Sequence, residues 1–249
     1  MSHKHYARRY YDDPAHAQAF EKGRFYGRFG AFLQRWDQDL FLRSPLLQLG
    51  PGAQILDAGA GTGRLTIPLC REFPRARVTA LDFSDAMLAQ LTQKSAGLPN
   101  PPRILRGDVL ETGFESGQFD LVISSRVLMH LPDWERGLTE LCRVSKDYLV
   151  FDFPPTRSVG AFGKGLSSQN RVAEAYTYLR LKDVKHALSG QGFAVLDVKK
   201  SFVLPIRAHL KLNAPAISKG AEGLFRLVGL TALLGAPVFV LARRSQTSH

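Results

Sequence analysis

The sequence, 249 residues long, predicts a doubly wound α/β fold with a mostly parallel, seven-stranded sheet. Three observations carry this expectation. From Gly50 onward, short β-branched runs alternate with longer helix-like ones, the rhythm of βα units feeding a parallel sheet. A glycine-rich loop joins the first strand-like run to the first helix-like one. Hydrophobic residues make up 45% of the chain, ample for a sizeable core.

The first fifty or so residues precede that rhythm. Tyr6, Tyr10, Tyr11, Phe20, Phe25, Tyr26, Phe29, Phe32 and Trp36 recur at helical spacing, so residues 1–49 are expected to form a helical cover or lid beside the sheet. Strands are expected at Gln54–Ala58, Arg77–Asp82, Pro102–Arg106, Phe119–Ser124, Asp147–Phe153, Gly192–Lys199 and Pro237–Arg243. Helices are expected at Arg64–Phe73, Asp85–Ser95, Trp134–Val144 and Lys182–Gly190, the second opening on the capping residues Ser84 and Asp85. Residues 50–249 thus form the α/β domain, with insertions near 154–178 and 201–236 placed to shape a pocket. In the second insertion the alternation of Leu204–Leu212 sets Arg207, His209 and Lys211 on one face of an extended segment.

Composition excludes disorder, collagen-like and coiled-coil architectures. Cys70 and Cys142 stand far apart with no CxxC, so neither a disulfide framework nor a metal cluster is expected. Met1 to Pro14 contains no apolar run of the kind a secretory signal carries, and a cytoplasmic location is expected. The longest uncharged apolar stretch, Leu227–Ala242, is short for a bilayer span and contains Gly229, Gly235 and Pro237. The net charge of +11 is unevenly spread: residues 199–249 hold eight Lys and Arg against one acid, while the middle of the chain is nearly neutral. A basic stripe over a whole domain would suggest nucleic acid; this distribution is less committal, and the basic C-terminal region, with the apolar Ile217–Leu234, could make peripheral membrane contact or bind a lipid-like acceptor, or equally pack on the sheet with its charges solvated.

The chemistry concentrates at strand ends. Ile55–Leu65 reads as a buried strand, a GxGxG loop (Gly59, Gly61, Gly63) and a helix start, which lets a ligand approach the backbone. Arg64 stands where the dinucleotide fingerprint requires its third glycine. Asp57 puts a carboxylate where a phosphate would sit, which suits a ligand with a cationic amino group instead. Asp82 ends the second strand, where it can accept ribose hydroxyls, with Phe83 beside it to lie against a purine. Asp108, after the third strand, can accept from an exocyclic amino group. Acids at successive strand ends make a site for a nucleoside with a positively charged tail.

Ile55–Leu65, Ala80–Met87, Gly107-Asp108 and Phe119–Asp133 together resemble the class I S-adenosylmethionine (SAM)-dependent methyltransferases, in the small-molecule branch, whose fold is Rossmann-like. The resemblance covers roughly residues 50–153. It implies that Asp57, Ala58, Gly59, Gly61 and Gly63 hold the methionine part of SAM, Asp82 the ribose, Phe83 and Val109 the adenine faces and Asp108 the adenine amino group, with Ser125 near the sulfonium. It also implies an enzyme that transfers a methyl group to a small, hydrophobic or lipid-like acceptor. An RNA methyltransferase and a non-catalytic SAM-binding protein are the alternatives, although the Asn/Asp-Pro-Pro-aromatic pattern of base-amino methylation is replaced by Ser124-Ser125-Arg126-Val127.

His130, in the loop after the fourth strand, is the candidate general base. Tyr10, Tyr11, Arg157 and His209 are candidate acceptor-binding residues. The acceptor's identity, the methylated atom and the oligomeric state are not legible at this level.

Overall fold

The structure is a computed structural model and describes residues 11–13, 15, 27–46, 49–162 and 176–245. Its sheet has seven strands: β1 (Gln54–Ala58), β2 (Arg77–Asp82), β3 (Arg103–Arg106), β4 (Phe119–Ser124), β5 (Ser145–Phe153), β6 (Phe193–Phe202) and β7 (Ala236–Arg244). Their order is β3-β2-β1-β4-β5-β7-β6. The first five pair in parallel, and β7 runs antiparallel between β5 and β6. The strand order reverses between β1 and β4, so a crevice opens there at the carboxyl ends of the strands.

The helices are α1 (Gly27–Leu46), α2 (Thr66–Glu72), α3 (Asp85–Ser95), α4 (Trp134–Val144), α5 (Val159–Phe162), α6 (Leu181–Gly190), α7 (Ile206–Leu212), α8 (Pro215–Leu227) and α9 (Leu230–Leu234). Two apolar layers cover the sheet, sorted by the two-residue period of the strands. Leu121, Ile123, Val150 and Phe239 face Phe41 and Leu42 of α1 and Leu69 of α2. Their chain neighbours Val122, Leu149, Phe151 and Val240 face the other way, onto Leu138 and Leu141 of α4 and Val184 and Leu188 of α6. Helix α3 starts where expected because the Ser84 hydroxyl accepts the Met87 N–H at 3.2 Å.

The segment 204–212 departs from the extended reading. Pro205, with φ of −55°, fixes a backbone that turns directly into α7. In a helix, positions four apart share a face and positions two apart do not. Arg207 and Lys211 are accordingly exposed, while His209 is buried.

His209 is 1% exposed and lies inside a small second core formed by Phe29 and Leu33 of α1 with Phe202 of β6. Its ring stacks on Phe29 at 4.9 Å. One ring nitrogen meets the Ser218 hydroxyl and the other the Glu222 carboxylate, each at 2.9 Å. Glu222 also accepts the backbone N–H groups of Val203 at 2.8 Å and Leu204 at 3.0 Å. One carboxylate therefore ties α7, α8 and the end of β6 together.

Replacing Glu222 by Leu would leave two amides and an imidazole nitrogen buried without an acceptor, each costing about 1–3 kcal/mol. Urea unfolding of Glu222→Leu is expected to report a loss of at least about 3 kcal/mol, and a change under about 1 kcal/mol would contradict this account.

Candidate functional site

A cavity of about 140 Å³ opens at the crevice where the strand order reverses. Its floor is the glycine loop after β1. Gly59 has φ of +82°, and a Cβ there would lie 2.2 Å from the Val127 side chain, so no other residue fits. The N–H groups of Gly59 and Ala60 both donate to the Leu81 carbonyl, at 2.7 and 3.0 Å. Gly61, with φ of +55°, has open space where its Cβ would point, leaving bare backbone against the cavity.

Three carboxylates from successive strand ends reach this cavity: Asp57, Asp82 and Asp108. Asp57 is buried and accepts the Thr66 hydroxyl at 2.6 Å. Burial pushes its carboxyl up to about 6, with the Thr66 bond and the Arg64 charge pulling the other way. Asp82 is shifted upward by burial as well, opposed by the backbone N–H groups of Ser84 and Gly61 that it accepts at 3.0 and 2.8 Å. The Asp108 carboxylate takes the Leu110 N–H at 3.0 Å, which turns the chain after β3.

Phe83, Val109, Ser125, His130 and Tyr11 line the same cavity. Tyr11 spans its mouth: the carbonyl accepts the Ser84 hydroxyl at 2.6 Å, and the phenol oxygen lies 3.2 Å from His130 Nε2. Tyr176 approaches the other side of the His130 ring, edge-on at 5.2 Å between centroids.

Four of the expected site residues stand elsewhere. Ala58 is wholly buried in β1, its carbonyl accepting the Ser124 hydroxyl at 2.9 Å. Gly63 faces away from the cavity, where a Cβ would meet Leu91 at 2.4 Å, so it serves the packing of the loop on α3. Arg157 is exposed and is not part of the cavity wall, and His209 is locked in the separate core described above. Tyr10 lies outside the described residues.

The structure adds a group of charges that local sequence patterns do not reveal. Arg64 and Arg126 line the cavity, and both guanidinium groups meet the Asp37 carboxylate from α1, Arg64 at 3.0 Å. Arg64 also donates to the Ser125 hydroxyl at 2.6 Å. Arg126 has φ of +62°, and its backbone N–H donates to Asp152 at the end of β5. Burial and the neighbouring Arg126 bring Arg64 down to about 10, whereas Asp37 and Asp152 outweigh burial at Arg126 and hold it above its usual value. Burial raises Asp152 despite the Arg126 charge beside it. The signal present in the sequence was Arg64 itself, the residue that breaks the dinucleotide pattern.

Residues 55–147 match the model of a methyltransferase domain. Over these residues the chain is similar to the class I SAM-dependent methyltransferases. The chain is 45% identical over 91 residues to a trans-aconitate 2-methyltransferase of Deinococcus radiodurans, a match covering 36% of this chain and 33% of that protein. It is 36% identical over 113 residues to a demethylmenaquinone methyltransferase of Thermus thermophilus, covering 44% and 51%. The matches thus span about a third to a half of the curated relatives' length. Among solved structures, a magnesium protoporphyrin IX methyltransferase from Synechocystis with bound SAM superposes with a TM-score of 0.67 at 19% identity, covering 98% of each chain. That likeness shows a shared fold.

The elevated Asp57 carboxyl has a consequence for the stability of the ligand-free protein. Folded, it titrates near 6 against an ordinary value of 3.8, so the folded state holds the proton more tightly. The contribution is full below the unfolded value and is lost as pH rises through the folded one. Asp57→Asn cannot titrate; relative to the parent it is expected to gain about 2 kcal/mol in urea unfolding between about pH 4.5 and 7.5. A difference between the two proteins that stays constant with pH would contradict the assignment.

Proposed function

We propose that the cavity binds SAM and that the protein transfers its methyl group to a small hydrophobic or amphiphilic acceptor. The observation that carries this reading is the convergence of Asp57, Asp82 and Asp108 on one cavity floored by bare glycine backbone. A dinucleotide would set its pyrophosphate against Asp57, whereas an ammonium group gains a partner there. The proposed roles are Asp57 for the amino group, Asp82 for the ribose hydroxyls, Phe83 and Val109 for the purine faces, and Asp108 for the exocyclic amine. Gly59 and Gly61 allow the close backbone approach, and Ser125, oriented by Arg64, stands beside the reacting end.

When bound, SAM supplies an activated methyl group whose in-line transfer discharges the sulfonium. The protein's share is alignment, exclusion of water, and removal of a proton where the acceptor is a neutral hydroxyl or an acidic carbon. His130 is the proposed base. It lies at the cavity edge, its Nε2 within reach of the Tyr11 phenol and its ring flanked by Tyr176. Met87, Leu110, Val127, Leu131 and Pro132 make much of the remaining wall apolar, which supports an apolar acceptor. Relatives named for trans-aconitate and for demethylmenaquinone support a small-molecule acceptor as the class.

Calorimetry with S-adenosylhomocysteine tests the donor assignment. The parent is expected to bind, and Asp82→Ala to weaken binding roughly 100-fold by removing charge-assisted hydrogen bonds to the ribose. Absence of binding by the parent would overturn it.

Transfer of label from methyl-labelled SAM into the organic-soluble fraction of a host extract tests the chemistry. His130→Ala is expected to slow labelling by about 100-fold while leaving S-adenosylhomocysteine affinity unchanged. Tight binding without any labelled product would replace the enzymatic reading with that of a SAM-binding protein.

A further inference from the structure

Helix α8 is inside out. Its buried face carries Ser218 and Glu222, both engaged with His209, and Thr231 of α9 is buried beyond them. Its outer face carries Ile217, Leu224, Leu227 and Val228, with Leu227 83% exposed. These positions follow the i, i+7, i+10/i+11 spacing of one helical stripe. Leu212 and Leu233 are exposed as well, so six of the eight large exposed hydrophobics among the described residues fall within this one insertion. Burial of apolar surface normally drives such a stripe inward, and a contiguous patch left outside marks a surface that meets an apolar partner.

The charges carried by the same insertion identify the partner. Arg207 and Lys211 on α7 and Lys219 and Arg226 on α8 are exposed. Lys219 and Arg226 lie beside the aromatic rings of α1, 4.8 Å over Phe32 and 5.9 Å over Trp36. Glu222 is the sole acid after Asp197, and it is buried. A second copy of this face would bring a cationic surface against a cationic surface. An anionic phospholipid bilayer offers acyl chains to the leucines and headgroups to the lysines and arginines. No helix among the described residues is long and apolar enough to cross a membrane.

We propose that α7–α9 form an interfacial docking surface for anionic phospholipid bilayers, with Ile217, Leu224, Leu227 and Val228 entering the acyl boundary and the flanking cations contacting headgroups. The surface is built from residues that take no part in the cavity, so it stands apart from the methyl-transfer reading.

Co-sedimentation of the full chain with vesicles tests it, using phosphatidylcholine alone and phosphatidylcholine containing phosphatidylglycerol. Binding is expected with the anionic vesicles, weakening as salt rises. Leu224→Glu/Leu227→Glu is expected to reduce that binding by at least about tenfold without changing S-adenosylhomocysteine affinity, which reports that the cavity is intact. Lys211→Gln/Lys219→Gln, which leaves the leucines in place, is expected to reduce it about thirtyfold, since each cation near an anionic surface contributes about 1 kcal/mol. No binding to anionic vesicles overturns the proposal, as does binding that the leucine variant leaves unchanged. A concentration-dependent dimer that the leucine variant abolishes, with no vesicle binding, overturns it in favour of a second copy.

Discussion

The architecture around the cavity depends on two guanidinium groups buried against one carboxylate. Asp37 comes from α1, Arg64 from the glycine loop, and Arg126 from the turn after β4, which Asp152 holds from β5. Separated from their partners, such charges would be costly in so dry a place. Kept together, they fix four chain segments that are distant in sequence. They also sustain the left-handed backbone of Arg126, a conformation that costs a non-glycine residue of the order of 1 kcal/mol. Ser125 is aimed by the same cluster, so the wall at the proposed reacting end is set by electrostatics rather than by apolar packing.

Much of the sheet was legible because strand residues obey strong local rules. Gln54–Ala58, Arg77–Asp82 and Phe119–Ser124 are each bounded by turn residues and fully matched by the observed strands. The acids at the strand ends were legible too, since a carboxylate beside a glycine loop has few chemical uses. Arg64 and Arg126 escaped as a pair because their common partner is 27 and 89 positions away, beyond the reach of any periodicity. His209 misled for a related reason. The alternation of residues 204–212 fits an extended segment, but Pro205 and the Glu222 contact favour a helix, which rotates His209 inward. Gly63 shows a smaller error of the same kind: its glycine is required, yet by the packing of Leu91 rather than by a ligand.

The charge of the chain acquires a location through the fold. Residues 199–249 are strongly basic in the sequence, and in three dimensions α7 and α8 carry exposed cations together with an exposed apolar stripe whose polar counterpart has been turned into the protein. The His209–Ser218–Glu222 cluster makes that inversion affordable, because it satisfies the inward-facing polar groups that would otherwise favour the opposite rotation of the helix. The same helix α1 packs Phe29 and Trp36 beside this insertion and extends Asp37 to the cavity wall one residue later. The outer surface and the inner site therefore share a single rigid rod.

Tyr11 links two sides of the cavity, and on the proposed reading that bears on timing as well as on affinity. It is fastened to Ser84 on one lip of the cavity and lies against His130 on the other. On the proposed reading, a ligand seated beneath it would depart only once both contacts break, which would lengthen its residence. The residue that touches the proposed base would in this way also bear on how often the site is refilled.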